Sequence, residues 1–397
     1  MNIKKKFGID LIFNIFATIL PLMVLQVVAY PIIARQLSDE NYGIMITIFS
    51  MLQLVCGTLG TGLNNVRLVK DSVYQNKNIK GDFNFILLIS GLLTVIIMII
   101  GTWYYEKTIN LFSIILIIIT GVCSLVNSYI QVEYRINLTF KKVLLSNIWS
   151  AIGYILGLGL FFVINKWELL FCCAQILSLI YNFHNTKILS ETIKITELFK
   201  ATLKDVIYVD ISGLCMRAIS YADKMLLLPL IGGEMVSIYY TSSLIGKIIV
   251  LGFNPVNSVI LSYLNKRESV NKKTFKLYLL INICICVIGY FTCLLISRPL
   301  LEFLFPQWVE QAMVYVPITT LNLCIITLCN MLIPFTMKYC DMSWQFVIDF
   351  ITLLFYIVVS LALLNKWSLL GFCFGITISY FIKLTIILFV YLKKKKI

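Results

Sequence analysis

Charge is scarce in this chain. Only 13% of its 397 residues are Asp, Glu, Lys or Arg, against 60% hydrophobic types, whereas soluble domains carry about 25% charged residues. No polar stretch is long enough to form a domain outside the apolar runs, so a soluble protein is excluded. Histidine occurs once, at His184, which leaves no zinc motif and few acid–base options. The sequence has no GxxxxGK(S/T), HExxH or GxSxG pattern, so an ATP-driven pump would need a partner chain. The 12 cysteines contain no CxxC pair and no regular spacing. They read as inert packing, vicinal Cys172 and Cys173 and the pair Cys284 and Cys286 included. The run after Lys4-Lys5-Lys6 has no small-x-small cleavage site and exceeds 20 residues, which reads as an uncleaved first span.

What is present is a series of apolar runs. A bilayer core about 30 Å thick needs roughly 20 apolar helical residues. The runs meeting that need are 11–34, 42–63, 83–105, 109–132, 143–164, 169–189, 207–231, 236–264, 277–297, 313–337, 346–364 and 369–392. The expectation is an all-α polytopic membrane protein with about 12 transmembrane helices.

The basic residues orient it. With the N-terminus in the cytoplasm, 24 of the 33 Lys and Arg fall on that side. Five fall outside, namely Arg35, Lys107, Lys166, Arg298 and Lys366. Such asymmetry in short loops predicts both termini in the cytoplasm. It also explains the net charge of +14 without nucleic acid, because the cations lie beside an anionic leaflet. The longest outside loop, about Arg298 to Ala312, is half apolar and too short to hold a sugar for a polysaccharide polymerase.

The chain echoes itself. Asn165-Lys166-Trp167-Glu168-Leu169-Leu170 precedes the sixth span, and Asn365-Lys366-Trp367-Ser368-Leu369-Leu370 precedes the twelfth. More weakly, the segment from Leu37 to Ile44 aligns with that from Ile231 to Ile238. An offset of six spans predicts two parallel six-helix lobes, 1–200 and 201–397, related by an axis along the membrane normal.

Several segments resemble a known family. Pro31-Ile32-Ile33-Ala34-Arg35-Gln36-Leu37 with Tyr42-Gly43, and Gly60-Thr61-Gly62-Leu63-Asn64-Asn65-Val66-Arg67, resemble the first two helices of Wzx-type polysaccharide flippases. These belong to the multidrug/oligosaccharidyl-lipid/polysaccharide exporter superfamily. Asp223-Lys224-Met225-Leu226-Leu227-Leu228 with Ile238-Tyr239 resembles its seventh and eighth helices, and the segment from Pro299 to Trp308 the entry to its tenth. Ser38 departs from the glycine common in the family. The resemblance implies a V-shaped pair of lobes in the bacterial inner membrane. It also implies alternating access, an H+ or Na+ gradient, and an undecaprenyl-pyrophosphate-linked oligosaccharide as cargo, with a polysaccharide polymerase as a further partner.

Charges inside the spans are the candidate site, since each costs at least about 2.5 kcal/mol at the bilayer centre and should face a cavity or a partner. The seventh span holds Asp210, Arg217, Asp223 and Lys224, and the spacing of seven puts Asp210, Arg217 and Lys224 near one stripe. Packing as a neutral Asp210–Arg217 pair is the alternative. Arg217 and Lys247, at similar depth, suit a diphosphate. Arg35 and Arg67 suit receipt or release of the head group, or simply anchor helix ends. Asp210, Asp223 and Asp349 are the ion-coupling candidates; Lys383 on the twelfth span is a further candidate, and for it and Asp349 snorkelling or local pairing is the competing reading. Asn254-Pro255 and Pro334 are candidate flexing points. No cofactor, metal or enzymatic activity is expected. A cation-coupled multidrug exporter, which would favour an acidic cavity, and a membrane polymerase or ligase are the competing readings.

Overall fold

The computed structural model describes residues 16–17, 19–77, 81–106, 110–265, 272–340 and 343–394. Lys4 to Lys6, Lys80, Lys107, Lys266, Arg267, Lys395 and Lys396 lie outside the described residues, as do the side chains of Asn254, Pro255, Lys272, Lys338 and Lys394.

The described residues form twelve helices and no strand. They are α1 (Ile19–Ala34), α2 (Asp39–Asn76), α3 (Asp82–Tyr105), α4 (Leu111–Ile136), α5 (Phe140–Ile164) and α6 (Glu168–Asn185). The stretch Phe199–Asn265 breaks at Gly232 into α7 (199–231) and α8 (233–265). There follow α9 (Lys272–Leu304) and α10 (Val309–Tyr339). Ser343–Lys394 breaks at Trp367 and Ser368 into α11 (343–366) and α12 (369–394). This is an all-α, polytopic membrane architecture. Exposed Leu88, Leu92, Ile96 and Ile100 make an apolar stripe on α3, and Leu280, Ile288 and Leu295 do the same on α9, a pattern at home in hydrocarbon and not in water.

Among the described residues, seven helical stretches are long and apolar enough to cross a membrane, one of them Trp344–Lys393, which holds both α11 and α12. The largest departure from the expected spans is α2. It runs to Asn76, well past Leu63, because its last turns bury Val66, Arg67 and Tyr74 against protein.

Helix ends have local causes. Ser38 caps α2 by accepting from the Asn41 N–H at 3.3 Å, with Asp39 and Glu40 in the first turn, where acidic groups favour the helix dipole. The middle of α1, Val24–Ala29, is π-helical, just before Pro31, which lacks an N–H for the ordinary ladder. Both sequence echoes coincide with helix starts. Asn165 stops α5 with φ 57° and Ser368 turns the chain into α12 with φ 50°, while Ser38 and Gly232 (φ 85°) precede α2 and α8.

The chain divides into two compact units, Met1–Pro229 and Leu230–Ile397. In the first, Phe49 stacks on Phe171 at 4.4 Å between ring centroids, with Tyr30 edge-on to both. In the second, Phe275 stacks on Tyr391 at 4.2 Å. Glycines let two hairpins close backbone to backbone. A Cβ at Gly153 on α5 would fall 2.4 Å from the Ala174 Cα on α6, and one at Gly375 on α12 would fall 2.4 Å from the Ser360 Cα on α11. Close approach of small residues is how helices associate when lipid supplies no hydrophobic force between them.

Candidate functional site

In the first unit, α7 lies against α2 along a face of small residues. A Cβ added at Gly62 would fall 1.8 Å from Asp210 Oδ1, and one at Gly57 would fall 2.7 Å from Arg217 Nη1. Between them, Gly213 faces the Thr58 methyl. Further along, the Thr47 hydroxyl reaches the Lys224 carbonyl at 3.4 Å and the Tyr105 hydroxyl donates to the Met225 carbonyl at 3.2 Å. Residue numbers rise on one helix as they fall on the other, so the pair is antiparallel.

This groove holds the two charges that sequence placed at the centre of the site. Arg217 is half-buried and donates from Nη2 to Thr61 Oγ1 at 3.2 Å, while Thr61 Oγ1 itself donates to the Gly57 carbonyl at 2.6 Å. Among the described residues that is the guanidinium's one hydrogen bond, although it has five donors to offer. Asp210 Oδ1 is buried and has no hydrogen-bond partner among the described residues. Two helical turns, about 10 Å, separate the two residues along α7, and no ion pair joins them among the described residues.

The remaining membrane charges are placed differently. Lys224 is 3% and Asp223 5% exposed, and the Lys224 ammonium pairs with the Asp223 carboxylate next to it. The stripe of sevens therefore does not continue to Lys224 as an open cation. In the second unit, Lys383 on α12 contacts Asp349 on α11 at 2.8 Å, both buried, and Gln345 Nε2 donates to the other carboxylate oxygen at 2.8 Å. Lys247 on α8, in the same unit, lies over the Tyr240 ring, 4.9 Å from its centroid. Arg217 and Lys247 thus belong to different units. Arg35 is exposed in the turn that ends α1.

Arg67 sits in a polar cluster that sequence reasoning missed. Its guanidinium grips Glu191 with two hydrogen bonds, 3.0 and 2.7 Å, and lies over the Phe83 ring at 4.7 Å. Burial works against its charge, but the Glu191 hydrogen bond and the fields of Tyr129, Glu191 and Asp71 outweigh it, so its pKa stands above the ordinary arginine value. Nearby, Asp82 is fully buried and accepts from Tyr74 Oη at 2.8 Å, the Thr196 N–H at 2.7 Å and the Thr196 hydroxyl. Lys70 pairs with Asp205 at 2.6 Å, and Asn84 Nδ2 donates to the Glu191 carbonyl at 2.9 Å. Together these groups fasten the segment between α6 and α7 to the ends of α2 and α3. Replacing Asp82 with alanine removes charge-assisted hydrogen bonds and is expected to destabilise this attachment by about 3 kcal/mol. Limited proteolysis should then cut between 186 and 198 in Asp82→Ala but not in Asp71→Ala, whose carboxylate stands 3.8 Å from Arg67.

The described residues thus form an all-α membrane bundle in which an interhelical groove holds a half-buried arginine and a carboxylate oxygen without a hydrogen-bond partner. Solved structures agree on that fold. A structure of lipid II flippase MurJ in an inward closed conformation superposes with a TM-score of 0.68 at 15% identity, covering 97% of this chain and 86% of that one. A transporter of the MOP superfamily from Pyrococcus furiosus, described as having a binding pocket of reverse polarity, gives 0.64 at 14% identity, over 96% and 94%. An outward-facing multidrug resistance MATE transporter gives 0.62 at 11% identity, over 96% and 94%. No protein-family model and no curated sequence matches the chain.

Proposed function

We propose that this protein is a flippase of the bacterial inner membrane, not an enzyme. It would move an undecaprenyl-pyrophosphate-linked oligosaccharide, an O-antigen or capsule repeat unit, from the cytoplasmic to the periplasmic leaflet by alternating access of two six-helix lobes, 1–200 and 201–397. The observation that carries the proposal is Arg217, a cation at membrane depth with most of its donors uncommitted among the described residues and glycine opposite it. A diphosphate crossing hydrocarbon needs such a group to offset its desolvation. Lys247 is the second cation in this reading and Arg35 an entry or exit contact, whereas the engagement of Arg67 with Glu191 gives it an anchoring role. Both termini face the cytoplasm, and a polysaccharide polymerase takes up the delivered repeat unit.

Asp210 is the coupling carboxylate for an H+ or Na+ gradient; Asp223, paired with Lys224, and Asp349, paired with Lys383, stand behind it. The same orphaned Asp210 oxygen favours a second reading, export of small amphipathic cations, in keeping with the multidrug transporters of this fold.

Proteoliposomes distinguish the two. With an imposed gradient, purified protein should bring pyrophosphate-linked oligosaccharide to the opposite leaflet, where an added sugar-cleaving enzyme reaches it. Accumulation of a fluorescent amphipathic cation without any lipid movement would replace the first reading with the second.

A further inference from the structure

The first unit carries an open apolar groove that the transport reading does not use. It has a volume of about 410 Å³ between α3, α4 and the segment that follows α6. Leu88 and Gly91 of α3, Val122 and Leu125 of α4, and Leu189 and Ile193 of the following segment line it. At Gly91 an added Cβ would meet nothing within 4 Å, so the glycine opens the wall.

The segment that bears Leu189 and Ile193 is held by hydrogen bonds to α3 and α4. Asn84 Nδ2 donates to the carbonyls of Ile188 and Glu191, and Glu133 accepts from the backbone N–H groups of Lys187 and Ile188, both at 2.9 Å. This fixed segment also carries Lys187 and Lys194, both exposed and without an ion pair among the described residues. The Lys194 Cβ lies beside Gly81, at the start of α3, the same end as Asn84.

We propose that this groove is a binding site for a resident anionic glycerophospholipid, with one acyl chain along Gly91 and its phosphate on Lys187 and Lys194. The walls belong to membrane-spanning helices, so hydrocarbon and not water fills the groove. An apolar groove bordered by a segment that bears two exposed lysines matches the tail and head of such a lipid. The hydrogen-bonded segment needs no reordering when the lipid binds.

The test is native mass spectrometry of the whole protein in mild detergent, with phosphatidylglycerol and phosphatidylcholine of the same chain length. Wild-type protein should retain one phosphatidylglycerol. Gly91→Trp places an indole in the groove from a position whose Cβ meets nothing within 4 Å, and excluding about two methylenes lowers retention roughly tenfold. Gly159→Trp, at another glycine with open space around its Cβ position, should retain lipid like wild type. The double variant Lys187→Gln, Lys194→Gln should keep a lipid but lose the preference for phosphatidylglycerol. Equal retention in Gly91→Trp and wild type at matched thermal stability would overturn the site. So would displacement of the phospholipid by polyprenyl pyrophosphate, which would make the groove a subsite for cargo.

Discussion

Lys383→Met is expected to lower stability by about 3 to 5 kcal/mol, because it leaves the Asp349 carboxylate buried without its counter-ion. Both groups are 3% exposed and their atoms meet at 2.8 Å, so no water replaces the lost ammonium. Gln345 still donates one hydrogen bond to Asp349, but a neutral amide does not neutralise a charge. The double variant Lys383→Met, Asp349→Leu should recover most of the loss, since hydrophobic residues commonly replace a buried pair at little cost. Thermal unfolding in detergent, read beside the amount of protein in membranes, measures both. The double variant also decides what Asp349 does. If the recovered protein transports normally, the pair is structural; if it folds but ignores the gradient, Asp349 belongs to the coupling machinery.

Arg217→Gln should reduce flipping by about ten- to a hundredfold, the worth of roughly 1.5 to 3 kcal/mol for a hydrogen bond to a charged group. Glutamine retains the ability to donate to Thr61 but not the charge. Arg217→Lys keeps the charge without the two-pronged grip and should fall between the two. Gly57→Leu provides an independent check: it keeps the arginine and displaces the guanidinium, which lies within 2.7 Å of where even a Cβ would be. Surface polysaccharide in a strain lacking its own flippase reports function, with protein abundance measured in parallel. Normal polysaccharide in the double variant Arg217→Gln, Lys247→Gln would place the diphosphate elsewhere.

The helices were legible because hydrocarbon demands long apolar runs, and the charges within those runs announced themselves by their expense. Their partners were less legible. Asp349 and Lys383 lie 34 residues apart and Arg67 and Glu191 lie 124 apart, so nothing in local spacing pairs them. Glu191 and Asp82 stand in polar surroundings, where a carboxylate is ordinary. The extension of α2 past Leu63 is not legible from apolar length, because its last turns carry polar residues and bury Val66, Arg67 and Tyr74 against protein. Gly57 and Gly62 carry no sequence signal for the close approach of Arg217 and Asp210, which depends on how α7 lies across α2. The choice between a paired and an open Asp210 likewise depended on side-chain placement, since a spacing of seven allows either.

The α11–α12 hairpin has a consequence for biogenesis. Asp349 sits on one of its helices and Lys383 on the other, and Gly375 lets the two backbones touch. Released singly into the bilayer, each helix would carry a charge that insertion scales penalise by about 2.5 to 3.5 kcal/mol. Released together as a closed pair, the helices present no net charge to lipid. The insertion machinery therefore has reason to hold α11 until α12 emerges, which makes this hairpin, and not the single helix, the unit of membrane entry.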